Sequence, residues 1–145
     1  MQENGRLNLF ELHPREFKNL LTNIRGDRRV KAFQADGFHA CLSQLPPKER
    51  RGYVLMDPPY EVKQDYQTAV DALISAHKRF ATGTYALCYP VVDRYRIKKL
   101  EQQFKASGIA NIQLFELGVK EALPPLVKLL AGAGGFYRCE QLVAE

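Results

Sequence analysis

The chain has 145 residues, 46% hydrophobic and 26% charged, with a formal net charge of +5 and a pI near 9.2. That is enough for one compact domain with one core, and it excludes a mainly disordered chain. No apolar run approaches the roughly 20 residues of a membrane helix, and residues 1–6 lack the apolar stretch of a secretory signal, so a cytoplasmic protein with no membrane partner is expected.

In chain order, Leu7 to Leu12 (LNLFEL) reads as a short strand. Pro14 opens a helix at an early position, where its missing N–H costs little; Phe17, Leu20, Leu21 and Ile24 recur at helical spacing, and Gly26-Asp27 stops it. Val30 to Gln34 alternates like a strand, turns at Asp36-Gly37, and leads to a short helix from Phe38 to Leu45. Gly52 to Met56 (GYVLM) is a continuous apolar run, the pattern of a central strand covered on both faces. Asp57-Pro58-Pro59-Tyr60 follows it.

Asp65 is placed to cap a helix running to about Phe80, with Ala69, Leu73, Ala76 and Phe80 on one face. Thr84 to Tyr89 is another apolar strand, stopped by Pro90. A helix over Asp93 to Ser107 points Ile97, Leu100 and Phe104 inward, Gly108 ends it, and Asn111 to Val119 reads as a strand. Strand–helix repeated four times and then a strand predicts an α/β fold, a mostly parallel sheet flanked by helices, because parallel neighbours need crossover connections. Residues 120–145, with Pro124-Pro125 and Gly132-Ala133-Gly134-Gly135, break the alternation and are set apart as a divergent tail.

In such sheets ligands lie beyond the carboxyl ends of the strands. Glu11, Asp36 and Asp57 stand at three successive strand ends. An exocyclic adenine amine is a poor nucleophile, because its lone pair is delocalised into the ring. A carboxylate at Asp57 accepting one amine hydrogen, and the carbonyl of Pro58 accepting the other, would localise that lone pair. The prolines fix the loop, and Tyr60 offers a face for a base that has left its helix. Asp-Pro also starts ordinary turns; the functional reading rests on the position between a buried strand and a helix. Glu11 is placed to hold a ribose diol, and Asp36 to accept an adenine amine, with Gly37 allowing close approach. Asp-Gly is also a common turn pair.

The basic residues cluster around Arg25–Lys31, Lys48–Arg51 and Arg94–Lys99, which permits a polyanionic partner without demanding one. Cys41, Cys88 and Cys139, like His13, His39 and His77, lack metal-ligand spacing, so no metal is expected.

Glu11-Leu12-His13-Pro14, Ala35-Asp36-Gly37-Phe38, Leu55-Met56-Asp57-Pro58-Pro59-Tyr60-Glu61, residues 78–83 and residues 85–92 together resemble the bacterial 23S ribosomal RNA adenine-N6 methyltransferase J family, over roughly residues 7–119. The tetrapeptide alone marks amino-methyltransferases in general; the combined run is more specific. The resemblance implies a partial Rossmann-like class I methyltransferase domain over residues 1–119 that uses S-adenosylmethionine on an adenine of 23S ribosomal RNA, protein-free or an early precursor, and acts as a monomer. It implies Asp57, Pro58, Pro59 and Tyr60 as the catalytic loop, with Glu11, Asp36, Gly37 and Asp57 binding the cofactor. The family's glycine-rich cofactor loop lies upstream of the strand at which the resemblance begins. A fragment with impaired activity is therefore expected. The alternatives are a DNA adenine methyltransferase or protein of external-DNA utilisation, which relatives have also been labelled, and an inactive nucleic-acid-binding fragment.

Overall fold

The computed structural model describes residues 5–90, 92–117 and 127–132. The expected alternation is present as β1 (Leu7–Glu11), α1 (Pro14–Asn23), β2 (Val30–Gln34), α2 (Gly37–Ser43), β3 (Tyr53–Met56), α3 (Asp65–Arg79), β4 (Thr84–Tyr89), α4 (Arg94–Ala106) and β5 (Ile112–Leu117), followed by β6 (Val127–Gly132). The chain divides into two compact units, residues 1–47 and 48–145.

In the first unit β1 and β2 pair in parallel from Leu7↔Val30 to Glu11↔Gln34, with α1 as the crossover. Pro14 takes the first helical turn as its fixed φ favours. Phe17, Leu20 and Ile24 are half-buried, but Leu21 is exposed, turned about 100° away from Leu20 around the helix. Phe10 and Phe33, adjacent across the strand pair, stack at 5.3 Å. No residue of α1 or α2 is fully buried.

The second unit is a four-stranded sheet in the order β3-β4-β6-β5. β3 and β4 are parallel with α3 as their crossover, whereas β6 runs antiparallel to both β4 and β5. The stretch 120–145 thus contributes a strand to this sheet through residues 127–132, since an antiparallel neighbour needs only a short connection from β5. Its double-proline and terminal glycine features, Cys139, and the end of the strand expected to reach Val119 lie outside the described residues.

Two local expectations are corrected. β3 is not a central strand covered on both faces: it is the edge of its hydrogen-bonded sheet, and Leu55 is 57% exposed. β4 has the covered position instead, with consecutive Tyr85, Ala86 and Leu87 buried. Asp65 is the first helical residue of α3 rather than its cap, and its carboxylate accepts from Val62 N–H at 3.1 Å.

The core lies between β4, α3 and α4. Ala69, Leu73 and Ala76 of α3, Phe80 just past its end, and Ile97, Leu100 and Phe104 of α4 are buried, as their spacing predicts. Fully burying one such leucine is worth about 1.5–3 kcal/mol. The Tyr85 hydroxyl is shared between the Ala76 and Phe80 carbonyls at 3.0 and 2.8 Å, which ties β4 to the end of α3. Gly26 and Gly108 follow α1 and α4 at φ 92° and 78°, a conformation that stops a helix at little cost only for glycine. No helix among the described residues is long and apolar enough to cross a membrane.

Candidate functional site

Asp57 immediately follows β3, so the parallel strand direction delivers it to a carboxyl-end loop. It is exposed as a residue, yet partial desolvation raises its carboxyl above the ordinary carboxylate range. Pro58 and Pro59 remove two backbone donors and set φ. Tyr60 then adopts φ 54°, a left-handed conformation that costs a non-glycine residue about 1–3 kcal/mol.

Tyr60 is held there from the neighbouring strand. Its hydroxyl donates to the Cys88 carbonyl of β4 at 2.8 Å, and its ring packs against Tyr66 at 4.5 Å, tilted by 45°. Tyr66 in turn donates to the Pro90 carbonyl at 3.2 Å. Burial, then the neighbouring Tyr66 and Asp57, push the Tyr60 phenol far above its usual range, so it remains a neutral donor. Beside Pro59 and Tyr60 lies a cavity of about 300 Å³, lined by these two with Val62, Tyr66, Pro90 and Val92, and with Glu61, Lys63, Asp93 and Arg96 at its polar side; Asp57 and Pro58 do not line it. Such a volume, mostly apolar with a few charged groups, is typical of a small-ligand or single-base pocket. Tyr60 therefore contributes to one wall of a cavity, with part of its ring already packed on Tyr66; sequence alone suggested a freely offered stacking face.

In the first unit Glu11 and Asp36 follow the ends of adjacent parallel strands. Glu11 accepts from the His13 backbone N–H at 2.7 Å through Oε1. Asp36 is the N-cap of α2: Oδ1 accepts from Phe38 N–H at 2.9 Å, while Oδ2 lies 2.7 Å from His39 Nδ1. Desolvation pushes Asp36 up, but its hydrogen bonds to His39 and Phe38 outweigh it, and the carboxyl titrates below the ordinary value. A Cβ added at Gly37 would sit 3.4 Å from Phe10 Cβ, so glycine here also permits α2 to pack against β1. The structure thus assigns both Asp36 and Gly37 a local structural task, and both oxygens of Asp36 retain a second lone pair for a ligand.

Sequence reasoning did not single out Tyr66, Lys63 or Asp93. Asp93 caps α4, accepting from Tyr95 N–H at 3.0 Å and Arg96 N–H at 3.3 Å, and pairs with Arg96 Nε at 2.7 Å. An Asp after Pro90 and before a basic helix was the available signal. Tyr66 carried none, because its partners, the Tyr60 ring and the Pro90 carbonyl, lie in other segments of the chain. Among the described residues no group of three or more His, Cys, Asp or Glu is gathered to hold a metal ion.

Residues 1–126 match the family described as Ribosomal RNA large subunit methyltransferase D, RlmJ. The Ribosomal RNA large subunit methyltransferase J of Escherichia coli (strain K12) is 45% identical over 119 residues, 82% of this chain and 42% of that protein. That of Haemophilus influenzae is 45% identical over 120 residues, 83% of this chain and 43% of that protein. The chain spans about two-fifths of the length of the curated relatives it matches. Among solved structures, a protein from Legionella pneumophila str. Philadelphia 1 superposes with a TM-score of 0.84 at 27% identity, covering 94% of this chain and 52% of that one. The METTL16 MTase domain shares the fold, with a TM-score of 0.65 at 11% identity, covering 88% of this chain and 50% of that one.

Proposed function

The chain belongs to the family described as Ribosomal RNA large subunit methyltransferase D, RlmJ, and on that premise we propose that it transfers a methyl group from S-adenosylmethionine to the N6 amine of an adenine in 23S ribosomal RNA. The observation that carries this reading is the Asp57–Tyr60 loop: a desolvated carboxylate at a strand end, two prolines, and a tyrosine in a strained conformation tied to the next strand. Strain of this kind persists where the surroundings over-determine it, and it gathers at ligand sites.

In this reading the adenine enters the cavity beside Pro59 and Tyr60. Asp57 accepts one N6 hydrogen and the Pro58 carbonyl accepts the other, which localises the nitrogen lone pair and fixes its direction. When bound, S-adenosylmethionine supplies an electrophilic methyl group. On taking up that methyl group, with the thioether as leaving group, the amine would shed one proton by way of the Asp57 carboxylate to solvent. Orientation supplies most of the acceleration; well-placed reactants gain roughly 7–11 kcal/mol over free encounter.

The residues of the first unit fit the cofactor by their chemistry. Ionised carboxylates only accept hydrogen bonds, while ribose hydroxyls and an adenine amine donate them. Glu11 would hold the ribose diol, and Asp36 with Gly37 the adenine end. The substrate in this reading is protein-free ribosomal RNA or an early precursor, met in the cytoplasm by a monomer. Methyl-labelled S-adenosylmethionine offered with deproteinised ribosomal RNA and, separately, with DNA tests it. Label in the RNA is expected; label in DNA alone would overturn the assignment.

A further inference from the structure

A second cavity of about 190 Å³ lies between α3 and α4, and Lys63, Tyr66 and Arg96 line both it and the cavity beside Pro59 and Tyr60. The two adjoin at these three residues and together make a groove from Pro59 and Tyr60 to the contact of the two helices. At the helix end, Gln103 Nε2 donates to the side-chain oxygen Oε1 of Gln67 at 3.0 Å and so bridges α4 to α3.

The two ends differ in chemistry. Beside the loop the walls are Pro59, Tyr60, Pro90 and the largely exposed Val92, with charges of both signs, Glu61, Asp93, Lys63 and Arg96, among them. Toward the helices Lys63 and Arg96 continue the lining, Lys99 joins them, and the acidic residues drop out. Arg96 is held by Asp93 at 2.7 Å. Lys63 and Lys99 have no carboxylate within ion-pair distance among the described residues, and both are exposed. A ligand filling the whole groove must carry a flat, partly apolar group at one end and negative charge at the other. A nucleotide strand has that order, with its base in the slot and its phosphodiesters outside.

We propose that Lys63 and Lys99 bind the phosphates that flank the target adenine in a single RNA strand, so that the α3–α4 groove is the strand's track into the Asp57–Tyr60 loop. The assignment rests on the adenine reading of that loop and adds the path by which the substrate reaches it. Backbone contacts of this kind fix register and orientation without reading sequence.

The test is fluorescence-anisotropy titration of the full chain with a labelled single-stranded RNA containing one adenine, at several salt concentrations. Each phosphate contact to a single strand contributes a slope of about −0.7 in log K against log salt. The K63Q/K99Q double variant is expected to lower the slope by about 1.4 and the affinity roughly 10–30-fold near 0.1 M salt. K98Q/K105Q removes the same charge from α4 positions that do not line the groove, and is expected to change both much less. Equal losses in the two double variants would overturn the groove and indicate general attraction by net charge. So would poly-glutamate binding with the same dependence on Lys63 and Lys99, which would mark an acidic-protein site. Full-strength RNA binding by K63Q/K99Q would overturn the groove while leaving the loop's assignment standing; no RNA binding by the unaltered chain would overturn both.

Discussion

Residues 1–47 and residues 48–145 each carry candidate functional residues, on very different foundations. In the first unit Glu11 and Asp36 stand on a two-stranded parallel pair with no fully buried side chain among the described residues, while every fully buried apolar residue described lies in the second unit. Asp57 and Tyr60 are consequently attached to a strand pair and helices that share a packed core, and Tyr60 is fastened to β4 as well. The lesson is a division of labour. In the proposed function, the groups aimed at the reacting atom sit on the part of the chain with the most burial to hold them. Glu11 and Asp36, which the same proposal gives only a ligand's edge to grip, hang on a helix cap and short local hydrogen bonds. Local stability follows burial, so the two regions should respond differently to the same chemical change.

The largest expected difference comes from truncating one leucine in each unit. Leu73 is 2% exposed, and Leu73→Ala should cost about 2–5 kcal/mol in a urea unfolding titration. Leu20 is only half-buried, and Leu20→Ala should cost about 1 kcal/mol. Equal losses would remove the contrast.

Helix caps come next. Asp93→Ala takes an acceptor from two backbone N–H groups of α4, whose inner face is core, and should lower the melting temperature more than the loss of the α2 cap does. Asp36→Ala leaves one N–H of the short α2 without its cap and should cost about 1 kcal/mol or less. Circular dichroism melts of the two variants would rank them. Tyr60→Phe keeps the ring and removes the bond to the Cys88 carbonyl, for an expected loss of about 0.5–1.5 kcal/mol. A Tyr60→Phe variant of unchanged stability would mean that Oη does not fasten the loop.

The smallest effect is a difference of sign. Asp36 titrates below the ordinary 3.8 when folded. Its ionisation favours folding, and that contribution is fully present above the unfolded value and lost as pH falls through the folded one. Asp57 titrates above 3.8 when folded. Its contribution is fully present below the unfolded value and lost as pH rises through the raised value, so charging it opposes folding. At neutral pH Asp57→Asn should therefore stabilise slightly while Asp36→Asn destabilises. Chemical-shift titration of the two carboxyl carbons would read both directions. A carboxylate kept at a small cost in stability is what a site chosen for reactivity looks like.

Much of this architecture was legible in the residues. Helical spacing placed Ile97, Leu100 and Phe104 inward, Pro14 marked a helix start, and the carboxylates at positions 11, 36 and 57 fell at or just beyond strand ends. What was not legible depended on partners distant in sequence. The run GYVLM is as apolar as a central strand, but apolarity does not reveal that no strand pairs its outer edge within its own sheet. β6 lies between β4 and β5, a position that no local pattern encodes. Lys63 and Lys99 belong to separate segments until α3 and α4 pack together. The candidate loop was legible because it is four consecutive residues; the walls beside it were not, because they are assembled from the segments after β3 and β4, the start of α3 and one side of α4.

The most direct test of the central claim is single-turnover reaction of the chain with S-adenosylmethionine and deproteinised 23S ribosomal RNA, followed by nucleoside mass spectrometry of the product for the unaltered chain and Asp57→Ala. N6-methyladenosine that forms with the unaltered chain and disappears with Asp57→Ala, while RNA binding is retained, is the predicted result. No N6-methyladenosine from the unaltered chain, or the same amount from Asp57→Ala, would contradict it.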